Sequence, residues 1–543
     1  MSFARALATV GGLTLVSRIA GFGRDILMAA MLGAGPIADA FFVALKLPNL
    51  FRRLTAEGAF SVSFVPLFSE SLTRDGRAVA LRFAEDALAV MLTVLAPFTL
   101  VAVLAMPALV SVIAPGFVDD PVRYAAAVDF ARITFPYLML MSLTALMGGV
   151  LNALDRFAPF AAAPILFNVC LIVSLVALTP FTPDAGWALT YGVAAAGIVQ
   201  LVWLAWSLRR AGVTLALPVP RLSPRIKRLF RLMGPGAIGA GVMQINLFID
   251  VLIASLLPAG AISYLYYADR LNQLPLGVIG IAIGTALLPL LSRHLTAAQD
   301  GGAEARSALA ADGLASTAST HSKAAALATQ NRALEFGLLL AVPCAAGLIA
   351  LSEPIIAVLF ERGAFDASTT RAVAAALIAY AIGIPGYIIV KVLSTAFHAR
   401  QDTVTPVRIA ILCTVLNTLV SLGLSQLIGH VGIALSTGLA AWLNAGLLYR
   451  ALARTGDVAL ERQTARRIGG AFAAAGAMAA VLTGATSAGW LASAGAVDPV
   501  TGPLTVAVAV AVGAGLYVLA AIPLTGLRRS DIRAAFSRQG DAR

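Results

Sequence analysis

The stretch "SRIAGFGRDI" (17–26) puts Arg18, Arg24 and Asp25 inside the first long apolar run of the chain. The chain around it is 59% hydrophobic and only 12% charged over 543 residues, with a mean hydropathy of +0.88. A soluble globule carries about 25% charged residues. Apolar runs near the length of a membrane span recur from end to end. They lack the alternation of strands, and lipid tolerates no unpaired backbone, so the fold is predicted to be an all-α polytopic membrane bundle. Three ionisable groups at that depth therefore need a reason.

Fourteen spans are expected: 6–33, 36–68, 83–113, 123–150, 159–180, 187–208, 229–256, 261–293, 332–352, 368–397, 405–428, 432–450, 467–490 and 502–526. Of the 39 Lys and Arg, 28 fall in alternate connections and only Arg123, Arg362 and Arg371 in the others. That asymmetry places both termini in the cytoplasm. It accounts for the net charge of +12 without a nucleic-acid partner. Cys170, Cys344 and Cys413 stand singly in apolar runs and read as buried small residues. The Ala- and Ser-rich segment 296–330 reads as a mobile cytoplasmic linker with room for a short surface helix.

The two halves resemble each other. "LGAGPIADAFFVALKLPNLF" (32–51) parallels "LPAGAISYLYYADRLNQLPL" (257–276), and Asp155 and Pro159 match Asp402 and Pro406. Parallel repeats around a central site are a transporter architecture. The domains expected are an N-terminal lobe at 1–220, a C-terminal lobe at 221–455, and a final helix pair with a tail at 456–543.

In the second span, Lys46 lies about 20° from Asp39 round a helix, Arg53 about 40° away, and Glu57 returns to about 0°. This predicts a polar stripe roughly 27 Å long, with Asn49 beside it and Arg52 pointing elsewhere. In the first span Asp25 lies about 20° from Arg18, Arg24 flanks them, and Gly21 and Gly23 offer a place to bend. The eighth span adds Asp269, Arg270, Asn272 and Gln273, and Asp250 shares a face of the seventh with Asn246. A charge at a helix centre costs about 2.5–3.5 kcal/mol, so these groups should line a wet cavity. Asp129 and Arg132 read instead as a structural pair. In spans 1, 2 and 8, six cations (Arg18, Arg24, Lys46, Arg52, Arg53, Arg270) face four anions (Asp25, Asp39, Glu57, Asp269). The surplus asks for an anionic ligand, and the arginine fork suits a phosphate. No Walker A sequence, nucleophile–base pair or metal-ligand cluster stands out, so neither an enzyme nor a cofactor is expected. Movement would draw on a sodium or proton gradient or on the membrane potential.

The run "SRIAGFGRDILMAAMLGAGPIADAFFVALKLPNLFRRLTAEGAFSVSFVPLFSE" (17–70) resembles the N-terminal signature of the MurJ (MviN) family of lipid II flippases. That family belongs to the multidrug/oligosaccharidyl-lipid/polysaccharide exporter superfamily. "YYADRLNQLPLGVIGIAIGTALLPLLSRH" (266–294) and "LFERGAFDASTT" (359–370) look like family stretches too. The resemblance covers the whole chain, including a six-plus-six-plus-two arrangement of spans. It implies a role in peptidoglycan biosynthesis at the cell inner membrane. The substrate would be undecaprenyl-pyrophosphate-linked disaccharide-pentapeptide (lipid II), moved from the cytoplasmic to the periplasmic leaflet. The family's cavity arginines match Arg18, Arg24, Arg52 and Arg270, its acidic gate position matches Asp25, and its second-span polar positions match Asp39, Asn49, Arg53 and Glu57. Sodium-coupled members suggest an ion site at Asp250, Asp402 and Thr418, where His398 departs from the pattern. Implied partners are lipid II, membrane lipids, and cell-wall synthesis or division proteins.

Two other readings stand beside this one: a drug or small-molecule antiporter of the same superfamily, and a non-transporting scaffold for cell-wall enzymes. The extra helix pair and the arginine surplus set the first apart, and the intramembrane stripe sets the second apart.

Overall fold

A computed structural model describes residues 3–52, 60–308, 316–489 and 501–526. Among them the regular structure is helical, with no strand. Among the described residues ten helical stretches are long and apolar enough to cross a membrane. The chain divides into two compact units, Met1–Ser263 with Arg362–Asp366, and Tyr264–Glu361 with Ala367–Arg543.

The first unit begins with α1 (Phe3–Leu32), α2 (Pro36–Arg52) and α3 (Ser61–Arg74). The expected second span, 36–68, is thus occupied by α2 and α3, and residues 53–59 lie outside the described ones. Next come α4 (Arg77–Leu104), α5 (Met106–Ile113), α6 (Pro121–Thr134) and α7 (Tyr137–Ala153). The expected span at 123–150 is split between α6 and α7 by Pro136, which has no N–H to continue the ladder. Then follow α8 (Ala158–Leu178), α9 (Ala185–Arg210) and α10 (Pro224–Ser255). The core is built on stacked aromatic rings: Phe64 lies 5.0 Å from Phe60 and 5.4 Å from Phe83. Small residues bring α8 and α9 close together. A Cβ on Gly192 would sit 2.2 Å from the Ser174 hydroxyl.

The turn after α1 uses left-handed backbone at Gly33 (φ 66°) and meets segment 362–366, where Gly363 is also left-handed (φ 60°). The Ala364 N–H donates to the Ala30 carbonyl at 2.8 Å. A Cβ on Gly33 would fall 2.5 Å from the Ala364 oxygen, and one on Gly363 would fall 2.2 Å from the Ala30 oxygen. Glycine is required at both positions by conformation and by contact.

Most of the second unit's helical length lies in α11 (Ala261–Ala308), α12 (Ser316–Ala350), α13 (Ser352–Phe360), α14 (Ala367–Ala381) and α15 (Ile384–Ala399). The segment expected as a linker, 296–330, is helical at both ends: α11 runs to Ala308 and α12 starts at Ser316. Its alanine content explains this, since alanine loses least on entering a helix. The unit closes with α16 (Val404–Ile428), α17 (His430–Arg454), α18 (Arg462–Ser487) and α19 (Thr501–Thr525). The last pair packs on α12. Arg467 pairs with buried Glu335 at 2.8 Å, and the Tyr517 hydroxyl donates to the Leu339 carbonyl at 2.8 Å. Of the three cysteines, only Cys413 is buried. Cys170 is half-buried, and Cys344 is exposed on an apolar helix, against expectation.

Three described helices start on aspartate caps outside the apolar spans, at Asp120, Asp184 and Asp402. The Asp120 carboxylate accepts from the Val122 and Arg123 N–H groups, both at 3.2 Å, and Asp402 accepts from Val404 and Thr405 at 3.1 and 3.0 Å. The bond from Arg123 holds the Asp120 carboxyl below its ordinary range, and the bonds from Thr405 do the same for Asp402. A depressed folded pKa gives stability that is present above the unfolded pKa and lost as pH falls through the folded value. Asp120→Ala and Asp402→Ala should each cost about 1 kcal/mol at neutral pH. Thermal melts of the purified protein should show the gap to wild type closing below the ordinary carboxylate range.

Candidate functional site

In the first unit the membrane-embedded charge is concentrated where α1 meets α8. Arg24 and Asp25 are both buried. Arg24 donates to Asp25 Oδ1 through Nε at 3.1 Å and Nη2 at 2.6 Å. Its third contact is Nη1 to Asn168 Oδ1, at 2.9 Å. The Asn168 amide also donates to the Ser17 carbonyl at 3.0 Å, one turn below Gly21. A Cβ at Gly21 would stand 3.4 Å from the Asn168 amide nitrogen, an ordinary van der Waals contact. Helix α1 is continuous through Gly21 and Gly23. The Phe167 ring faces the same guanidinium, 5.8 Å from Cζ.

This arrangement differs from the helical-wheel expectation, which grouped Asp25 with Arg18. Arg18 is exposed, and Asp25 pairs with its chain neighbour. The reason is tertiary: Asn168 draws the Arg24 fork toward α8, and the carboxylate follows it. Asn168 was not among the residues singled out from the sequence. A lone asparagine at the centre of "PILFNVCLIV" (164–173) was its one available signal. Buried amides in spans seek partners on a neighbouring helix.

Asp39 does not lie on a wet face. It has no exposed surface. Its Oδ1 accepts from the Ser263 N–H at 2.9 Å and hydroxyl at 2.6 Å, and its Oδ2 accepts from the Gly260 N–H at 2.7 Å. It therefore caps the start of α11 at residues 260–263, which belong to the first unit. A helix start presents N–H groups with no partner in the helix, and a carboxylate satisfies them. Lys46 is half-buried and engaged by neighbouring groups. Asn49 donates back to the Leu45 carbonyl of its own helix at 2.9 Å. The side chain of Arg52, and Arg53 and Glu57 entirely, lie outside the described residues. Asp129 and Arg132 form the half-exposed pair expected of them, at 3.5 Å. Asp250 and Asn246 are half-buried and both engaged.

In the second unit, Gln273 donates to Asp269, and Arg270 stacks on the Tyr266 ring at 4.6 Å. Asn272 is buried, and its Oδ1 has no hydrogen-bond partner among the described residues. Two of the suggested ion ligands lie on or beside one helix. Asp402 caps α16 with its carboxylate, and Thr418 lies roughly 20 Å further along that helix, its hydroxyl donating to the Thr414 carbonyl. Among the described residues no group of three His, Cys, Asp or Glu side chains is placed to hold a metal ion.

A sequence model of the family described as "Lipid II flippase MurJ" matches residues 28–497. A "Probable lipid II flippase MurJ" of Rhizobium meliloti (strain 1021) is 42% identical over 550 residues, spanning 100% of this chain and 98% of that one. The "Lipid II flippase MurJ" of Burkholderia cenocepacia is 37% identical over 460 residues, with 84% and 85% covered. A solved lipid II flippase in an inward closed conformation is similar in fold, with a TM-score of 0.75 at 22% identity over 95% and 98% of the two chains. An inward-facing multidrug transporter of the MATE family matches with a TM-score of 0.59 at 14% identity, over 83% and 95%.

Proposed function

The chain belongs to the lipid II flippase MurJ family, and from that premise we propose that it carries lipid II from the cytoplasmic to the periplasmic leaflet of the inner membrane by alternating access, in peptidoglycan biosynthesis. The observation that carries this reading is the Arg24 fork, buried on an apolar helix and held by one carboxylate and one amide. A pyrophosphate can take the place of the Asp25 carboxylate on that fork, because its paired oxygens match the planar donor set. Arg18, Lys46, Asn49, Arg52, Arg53 and Glu57 are further substrate contacts of this reading on α1 and the second span, and Asp269 and Arg270 are its contacts on α11. Asp39 closes the start of α11 in this state rather than touching substrate.

Fourteen spans, as two six-helix repeats and a final pair, are part of the proposal, with lobes at 1–220 and 221–455 and the pair in 456–543. Two likenesses support the repeat. Both α7 and α15 end before a left-handed residue that is not glycine, Asp155 (φ 58°) and Gln401 (φ 61°). Both are also preceded by a shorter helix, α6 and α14, across a break at Pro136 or beside Pro385. Both termini lie in the cytoplasm, and cell-wall synthesis or division proteins are the protein partners. The protein works as a carrier, without an enzymatic step or a cofactor.

The energy source is the membrane potential. The roughly 20 Å between Asp402 and Thr418 along α16 argues against one sodium ion shared by both with Asp250. One charge crossing the field gains about 2.3 kcal/mol per 100 mV. An inside-negative potential favours outward movement of the anion and draws emptied cationic helices back. Expression in cells depleted of their own flippase should restore growth and periplasmic-leaflet lipid II. Growth without that leaflet signal would overturn the reading. A potassium–valinomycin clamp at zero potential should slow flipping with ion gradients held constant. An unchanged rate that falls on sodium removal would replace the potential with sodium.

A further inference from the structure

Between Asp184 and Asp250 the chain holds no acidic residue, yet 209–231 holds seven Lys and Arg. Two of the seven are matched: Arg225 pairs with Asp75 at 2.9 Å and Arg228 with Glu70 at 3.2 Å. Arg209, Arg210, Arg221, Lys227 and Arg231 are exposed, and among the described residues none has a carboxylate at ion-pair distance. The connection from α9 to α10, residues 211–223, is not helical but is held in place at several points. Val213 is buried against the core of the first unit. The Ala216 N–H donates to Glu85 at 2.9 Å, and Arg77 donates to the Gly212 carbonyl at 2.9 Å.

The outer side of this fixed strap is apolar. Leu217, Val219 and Leu222 are 61%, 73% and 61% exposed. A connection that served only as a topology signal would need neither order nor exposed aliphatic side chains. Apolar side chains interleaved with arginines are the composition of a segment lying in the membrane interface. A separate observation fixes the depth. At the end of α9, Arg210 stacks on Trp206 at 3.7 Å, and Trp203 lies 5.3 Å from Trp206. Tryptophan gathers where headgroups meet hydrocarbon.

We propose that the 209–231 strap is a docking surface for anionic phospholipid headgroups of the cytoplasmic leaflet. Leu217, Val219 and Leu222 enter the headgroup layer, and Arg209, Arg221 and Lys227 bind the phosphates. The proposal rests on the reading of the chain as a membrane transporter with this connection on the cytoplasmic side. Basic groups near an anionic surface each add to binding, and the acidic gap from 185 to 249 leaves nothing within the segment to oppose them.

The test uses the full chain with Cys170, Cys344 and Cys413 replaced by alanine and an environment-sensitive fluorophore on Val219→Cys, placed in nanodiscs. Quenching by brominated phosphatidylglycerol should exceed quenching by brominated phosphatidylcholine at equal mole fraction. Arg209→Gln, Arg221→Gln and Lys227→Gln together should reduce that preference on the order of tenfold. Arg209→Lys with Arg221→Lys should keep it, which separates loss of charge from loss of fold. Equal quenching by the two lipids overturns the proposal, as does no quenching by either. A polyprenyl-pyrophosphate lipid added in trace that alone restores the preference in phosphatidylcholine would also overturn it, making the strap a substrate-capture site. Transport is not measured in this experiment. A negative result with growth intact therefore removes the strap alone, and lost complementation with quenching intact removes the flippase reading alone.

Discussion

Arg24→Ala is expected to abolish complementation of a flippase-depleted cell. Two effects are superimposed in that variant. Asp25 would be left buried without its cation, and breaking a buried pair from one side costs about 3–5 kcal/mol. The protein would also lose the fork proposed to hold pyrophosphate. Arg24→Ala with Asp25→Asn separates the two, because it removes both charges. It should return to wild-type membrane levels and still fail to support growth. Arg24→Lys should rescue poorly, since a single ammonium cannot reach both Asp25 and Asn168 in the geometry of the fork. Asn168→Ala should reduce transport while the chain remains folded, because Arg24 keeps Asp25 but loses its anchor on α8 and Ser17 loses its bond. Full growth of the Arg24→Ala, Asp25→Asn variant at native expression would remove Arg24 from the substrate path.

The second large effect is on stability. Asp39→Ala strips partners from three buried donors at once: the Gly260 N–H, the Ser263 N–H and the Ser263 hydroxyl. Each unsatisfied buried donor costs about 1–3 kcal/mol, so a loss of several kcal/mol is expected. Ser263→Ala removes one donor together with its bond and should cost about 1 kcal/mol. Melting of a fluorescent fusion by size-exclusion chromatography would rank the two. Asp39→Asn should fall between them, since its amide group would meet one N–H donor with another donor. Equal melting of Asp39→Ala and wild type would mean that the cap contributes nothing, and Asp39 would return to the list of substrate contacts.

Membrane character and helical class were legible from hydropathy, because a bilayer imposes one chemistry on every span and span length is set by its thickness. The arginine-rich opening was legible as embedded charge in need of partners because charge in hydrocarbon is costly wherever the neighbours lie. The Asp129–Arg132 pair was legible because spacing along one helix is fixed by the helix itself. The wheel placed Asp39 on a stripe without showing what its carboxylate meets. The wheel knows one helix, and its carboxylate is claimed by N–H groups of residues 260–263, more than two hundred positions away.

That this chain crosses a membrane as helices, that its embedded charge is mainly arginine, and which family it resembles could all be read without coordinates. Those properties follow from composition and local spacing, which need no knowledge of neighbours. Which carboxylate Arg24 meets, that Asn168 anchors it to α8, and that Asp39 caps the start of α11 follow only from the tertiary structure. A polar group in an apolar interior takes its role from the first partner within hydrogen-bond reach. Packing between distant segments of the chain selects that partner.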